Sequence, residues 1–251
     1  MNTNVKVLAV IPARYASTRF HAKLLAPIHG IPLIQRTYEN AKQCSFIDEC
    51  LVTTDHETIA SLIRSLGGQI VMTSPECANG TERVVEALKQ YPPANDFDII
   101  LNIQGDVPNL EPEVMEKVIN VLKTDDAAVM STAIMPITDL AEAQMNSVVK
   151  CVTDLNGNAL YFSRSLIPGS KSELSGQYFK HIGIYAFKRD FIYKYASLPA
   201  TPLQTTEDLE QLKVLEHGYK IKTVLVNSVS VGVDIPEDIQ KVERMLCNQN
   251  K

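Results

Sequence analysis

The chain has 251 residues, 45% hydrophobic and 21% charged, with 24 Lys and Arg against 29 Asp and Glu for a net charge of −5. That length supports one large or two small domains with a substantial core, and the acidic balance argues against a nucleic-acid partner. No apolar run nears the ~20 residues that span a bilayer, the start lacks a signal-peptide pattern, and five scattered cysteines read as reduced thiols, so a cytoplasmic protein without disulfides, zinc or membrane insertion is expected.

Lys6 to Ile11 is a short apolar run that reads as a buried strand. It empties into a loop with Arg14, Ser17, Thr18, Arg19 and Lys23. Three cations and two hydroxyls after a first strand suit a polyphosphate, because open α/β sheets bind ligands at the carboxyl ends of their strands. The same residues also suit a solvated basic turn. Leu33 to Lys42 has helical spacing, and Cys50 to Thr53 is a strand ending at Asp55, which is placed to cap a helix over His56 to Leu66. Gly67-Gly68 stops that helix and Gln69 to Met72 resumes as a strand. Glu82 to Gln90 is helical, Ile99 to Ile103 is a fully apolar strand, and Pro112 to Lys123 is a further helix. Alternation of this kind predicts a parallel sheet covered on both faces.

The second half is less regular. Ala128 to Ile134, Ser147 to Val152 and His181 to Phe187 are strand-like, and Asp154 to Asn158 is a turn into Ala159-Leu160-Tyr161-Phe162. Gly169 to Gln177 suits a mobile loop, and Thr206 to Glu216 a helix ended by Gly218. One domain with an appended sub-layer fits this order.

Two carboxylates stand where chemistry is expected. Asp106 follows Ile103-Gln104-Gly105 at a strand end, where a carboxylate suits a hard cation such as Mg²⁺. Asp234 precedes Ile235-Pro236-Glu237-Asp238, which reads equally well as a metal ligand or a helix cap. Asn79-Gly80-Thr81-Glu82-Arg83 opens a helix whose amides suit a base edge or an anion. Arg164 and His181 lie on or beside apolar strands; an acidic ligand would pair Arg164, and so would a structural carboxylate. Glu207 to Leu212 has charges that normally form a solvated face.

From about Val7 to Met245 these segments resemble the 3-deoxy-manno-octulosonate (Kdo) cytidylyltransferases, which make CMP-Kdo. The Ile11-Pro12-Ala13-Arg14 loop with Ser17, Arg19 and Lys23 carries the resemblance, with Thr53-Thr54-Asp55, Asn79 to Arg83 and Asn102 to Asp106. Ala159 to Arg164, His181-Ile182-Gly183-Ile184-Tyr185, Leu209-Glu210-Gln211-Leu212 and Val233 to Asp238 complete it. The resemblance implies a Rossmann-like, mostly parallel α/β sheet with a smaller mixed sub-layer. It divides the single domain into a CTP-binding half over about 1–125, a sugar-binding and dimerisation half over about 126–230, and a metal-ligand turn with a closing helix over 231–251.

It further implies transfer of a cytidylyl group from CTP to Kdo for lipopolysaccharide biosynthesis, by a homodimer using Mg²⁺. Arg14, Lys23, Asp106 and Asp234 would serve the chemistry, the two Asp as metal ligands. Pro12, Ala13, Arg14, Ser17, Arg19, Lys23, Asp55, Ala78, Asn79, Gly80, Arg83 and Gln104 would bind CTP. Gln104, Arg164, His181, Tyr185, Glu210 and Gln211 would bind the sugar. The alternatives are a CMP-sugar synthetase for another 3-deoxy-2-keto acid, such as 8-amino Kdo or sialic acid, and more remotely a non-catalytic nucleotide-binding protein. In one respect the chain departs from the family: His21, Ala22 and Leu24 stand where Pro, Gly and Pro are usual. Losing two prolines is expected to loosen the empty loop and weaken CTP binding, and Ala22 to be harmless unless its φ is positive.

Overall fold

The computed structural model describes residues 5–17, 19–171, 177–227 and 232–249. They form two compact units, the first from Met1–Glu116 and Val229–Lys251, the second from Lys117–Ser228.

The first unit is built on strand β1 (Val7–Ala13), buried along its whole length. A two-residue hairpin follows, β2 (Pro27–Ile28) and β3 (Ile31–Pro32). Helix α1 (Leu33–Ala41) buries Leu33, Ile34, Thr37, Tyr38 and Ala41, one face at helical spacing. Then come β4 (Glu49–Thr54), α2 (Glu57–Ser65), β5 (Gln69–Met72), α3 (Gly80–Gln90) and β6 (Ile99–Ile103). The four longer strands are parallel in the order β6-β1-β4-β5. The chain runs outward from β1 through β4 to β5, and β6 lies on the other side of β1. That reversal makes the carboxyl ends of β1 and β6 a topological switch point, where such sheets bind ligands. Helix α4 (Pro112–Thr124) leads out of the unit, and a last helix, Pro236–Gln249, belongs to it again.

The second unit holds β7 (Met130–Ile137), α5 (Leu140–Gln144), β8 (Lys150–Thr153), β9 (Ala159–Ser163) and β10 (Tyr178–Lys188). Helices α6 (Arg189–Ser197), α7 (Pro202–Glu207) and α8 (Leu212–Glu216) and strand β11 (Ile221–Leu225) complete it. Its sheet is mixed: β7 pairs antiparallel with β10 and parallel with β11, and β8 pairs antiparallel with β9 and β10.

The α/β reading therefore holds, with local differences. The helix expected over Thr206–Glu216 is two helices, because Asp208 takes left-handed dihedrals (φ 51°, ψ 52°) that a continuing helix cannot contain. The strand expected from Ser147 starts at Lys150. His56, not Asp55, caps α2, its Nδ1 accepting from the Thr58 amide. Thr18 and most of the loop expected over Gly169–Gln177 lie outside the described residues. Among those residues, no helix is long and apolar enough to cross a membrane.

Candidate active site

At the switch point of the first unit lies a cleft of about 300 Å³. Strand β1 delivers Pro12 and Arg14 to it, and the loop beyond supplies Ser17, Arg19, Lys23 and Leu24. Strand β6 delivers Gln104, Gly105 and Asp106, and the start of α3 contributes Ala78, Asn79, Gly80 and Arg83. Asp234 closes the wall. A backbone bond explains how Asp106 and Asp234 meet: the Val233 amide donates to the Asp106 carbonyl at 2.9 Å. Lys23 Nζ then lies 2.7 Å from Asp106 Oδ2 and 3.4 Å from Asp234 Oδ1, and Arg19 donates to Asp234 at 3.0 Å.

Backbone geometry sets these positions. Lys23 opens a 3₁₀ turn, Lys23–Leu25, and Ala22 before it is left-handed (φ 50°, ψ 29°). The condition attached to Ala22 is thus met: an L-residue with a Cβ sits where glycine is at ease. Gly105 is required by packing, because a Cβ there would lie 2.9 Å from the Pro12 carbonyl. Asn79 caps α3, accepting from the Glu82 amide at 2.9 Å, while Glu82 reaches back to the Ala78 amide.

The second unit gathers a different set. Arg164 donates through Nε to the Glu207 carbonyl at 2.7 Å and through NH2 to the Asp208 carbonyl at 3.2 Å. The Glu207 carboxylate accepts from Ser163 Oγ at 2.6 Å and from the Arg164 amide at 2.9 Å. Burial works to raise that carboxyl, yet its bonds from Ser163, the Arg164 amide and Tyr161 hold it below its ordinary value. Tyr185 donates to Gln211 Oε1 at 3.1 Å, and burial, then the charge of Glu210, pushes its phenol well above the usual range. Gln211 Nε2 is buried with no hydrogen-bond partner among the described residues.

His181 packs against Phe162 and Tyr185, and its Nε2 is 2.8 Å from Thr132 Oγ1. The Thr132 hydroxyl also faces the Ile184 carbonyl at 2.7 Å, which can only accept. Its one proton is therefore committed there, and His181 donates from Nε2. Burial lowers the His181 pKa to about 3, so the ring is neutral.

Residues 8–221 match the cytidylyltransferase family model. The 3-deoxy-manno-octulosonate cytidylyltransferase of Protochlamydia amoebophila is 49% identical over 98% of this chain and 96% of its own length. That of Chlamydia pneumoniae is 47% identical over 97% and 95%. This chain belongs to the 3-deoxy-manno-octulosonate cytidylyltransferase family. A solved CMP:2-keto-3-deoxy-manno-octonic acid synthetase in complex with CTP superposes with a TM-score of 0.91, at 36% identity over 97% of this chain and 99% of that one.

In this Kdo cytidylyltransferase homologue, the cleft collects Pro12, Arg14, Ser17, Arg19, Lys23, Ala78, Asn79, Gly80, Arg83, Gln104, Asp106 and Asp234. Ala13 and Asp55 are not among its lining. Ala13 is fully buried in β1. Asp55 instead binds the Tyr15 amide at 2.8 Å and the buried guanidinium of Arg83 at 3.1 Å, so it braces the wall from behind. Arg83 reaches Thr73 as well, which commits its charge to the interior. Residue-type reasoning missed Leu24, Gly105 and Cys77 as lining. Burial, then the bond it donates to Glu86, raises the Cys77 thiol to about 11, so it is no nucleophile at neutral pH. Glu207, read as part of a solvated face, is the anchor of Arg164.

Proposed function

We propose that the protein transfers the cytidylyl group of CTP to the anomeric C2 hydroxyl of Kdo, yielding CMP-Kdo and pyrophosphate for lipopolysaccharide biosynthesis, as a cytoplasmic homodimer. The observation that carries this reading is the single ammonium of Lys23 between the Asp106 and Asp234 carboxylates, in a cleft shared with Arg14 and Arg19.

Phosphoryl transfer needs an in-line nucleophile and neutralisation of charge on the phosphate oxygens. Arg14, Arg19 and Lys23 would hold the β- and γ-phosphates and then the departing pyrophosphate. The Ala78–Arg83 segment would face cytosine, with Gln104 towards the ribose or sugar. Arg164, His181, Tyr185, Glu210 and Gln211 would recognise the Kdo carboxylate and hydroxyls. The Arg164 guanidinium suits an acid: the Glu207 and Asp208 carbonyls orient it, and its contact with the exposed Asp208 carboxylate is long, 3.9 Å, and screened by solvent. Gln211 Nε2, which has no hydrogen-bond partner among the described residues, would offer a donor to a sugar oxygen.

The carboxylate pair fits a divalent cation. Its donors are oxygens only, and they already converge on one positive charge. No set of three or more His, Cys, Asp or Glu suited to a metal occurs among the described residues, so phosphate and water oxygens would complete the coordination. Mg²⁺ held by Asp106 and Asp234 would supply charge neutralisation at the phosphoryl oxygens and acidify a coordinated hydroxyl. Lys23 and Arg19 balance the same carboxylates in the free protein. With a cation held by that pair, both side chains would be available to phosphate. Product analysis tests the reading: CTP, Kdo and Mg²⁺ should give equal amounts of CMP-Kdo and pyrophosphate. Pyrophosphate with free CMP and no sugar nucleotide would contradict it.

A further inference from the structure

Lys150 is the least expected residue of the second unit. It is fully buried, although lysine almost never is unless paired. Its ammonium donates to the carbonyls of Met145 at 2.9 Å, Val148 at 2.6 Å and Arg164 at 2.5 Å. Three protons meet three acceptors, so the group is satisfied without any carboxylate. The Arg164 amide, on the other side of the same residue, donates to the Glu207 carboxylate at 2.9 Å. Both backbone polar groups of Arg164 are thus held by charge, the C=O by a cation and the N–H by an anion. The segment that Lys150 ties down through Met145 and Val148 also supplies the Asn146 carbonyl, 3.4 Å from Arg164 NH1.

A buried cation is not needed to fill this volume; an apolar side chain of similar length would fill it as well. Charge does add direction, because it fixes three carbonyls from two segments about one point. We propose that Lys150 is a positioning residue for Arg164: with Glu207 it clamps the Arg164 backbone, so that the guanidinium is presented in one orientation to the acidic sugar. This rests on the reading of Arg164 as a sugar-side residue.

The test compares Lys150→Met, Arg164→Ala and the double variant in steady-state kinetics. Lys150→Met should raise KM for Kdo about tenfold and leave KM for CTP within about twofold, the pattern of a misplaced binding group. In the Arg164→Ala background, Lys150→Met should add less than about twofold, because the residue it positions is gone. Lys150→Arg keeps the charge and should lie closer to wild type; it also serves if Lys150→Met fails to fold. Equal changes in both KM values, or a full tenfold addition in the double variant, would overturn the proposal. If Arg164→Ala alone leaves KM for Kdo unmoved, the sugar-side reading fails first and the clamp's purpose falls with it.

Discussion

Lys23 Nζ lies 2.7 Å from Asp106 Oδ2 and 3.4 Å from Asp234 Oδ1, so one ammonium bridges two carboxylates that come from the two separate chain segments of the first unit. The Val233 amide to Asp106 carbonyl bond sets that convergence in the backbone. Removing either carboxylate should therefore spare the fold and strike the chemistry. Asp106→Asn and Asp234→Asn are each expected to lose at least ~10² in kcat, the usual scale for a lost contact to developing phosphoryl charge. Thermal unfolding should shift little. Near wild-type turnover in either variant would remove that residue from the metal pair.

Ala22 holds a left-handed conformation one residue before Lys23. Ala22→Gly should relieve strain of about 1 kcal/mol and raise Tm by roughly 2–4 °C for a chain of this size. Restoring proline at the flanking positions is less simple. Leu24 is buried beside Gly105, and His21 packs edge-on against Tyr15 with ring centroids 5.3 Å apart. Tyr15 in turn stacks on His56 at 3.6 Å. Proline in place of His21 or Leu24 would give up these side-chain contacts. Calorimetry on Ala22→Gly against His21→Pro separates backbone strain from side-chain packing, and only the first should stabilise.

Asp55 and Arg83 form an ion pair with side chains 7% and 3% exposed. Breaking one partner of a buried pair leaves a charge uncompensated. Asp55→Ala should cost about 3 kcal/mol or more in urea unfolding. Asp55→Asn should cost less, because its amide oxygen can still accept from Tyr15 or Arg83. A loss of CTP affinity in Asp55→Ala without loss of stability would point to direct nucleotide contact in place of a bracing role.

His181 links pH to stability. Its folded pKa, lowered by burial to about 3, lies below the ordinary histidine value, so between about pH 6.5 and 3 the unfolded chain binds the extra proton. This contribution is complete above pH 6.5 and is lost as pH falls, by at most about 1.4 kcal/mol per unit. His181→Gln, which keeps a donor for Thr132, should flatten that part of the stability–pH curve. An unchanged slope would mean that other groups set it.

Much of the first unit was legible because buried parallel strands are continuous apolar runs and the cations follow them directly. Lys6–Ile11 and Ile99–Ile103 announce β1 and β6, and Arg14, Arg19, Lys23 and Asp106 are read straight off their ends. Asp55 was misread because a carboxylate before a helix looks alike whether it caps that helix or braces a distant loop. Glu207 was missed because a charged run resembles a solvated face, and only the left-handed Asp208 breaks the helix and turns Glu207 inward. Lys150 left no trace, since a lysine in a strand signals an exposed position and nothing local shows three converging carbonyls.

The measurement that tests the central claim most directly is pyrophosphate release from CTP and Mg²⁺ with Kdo, 8-amino Kdo, N-acetylneuraminate or no sugar, with ATP, GTP and UTP as controls. Release with CTP and Kdo, and with no other nucleotide, is the predicted result. Release only with another acid sugar would keep the cleft chemistry and refute the substrate. Silence from folded protein in every combination would contradict the account and leave a nucleotide-binding protein without transferase activity.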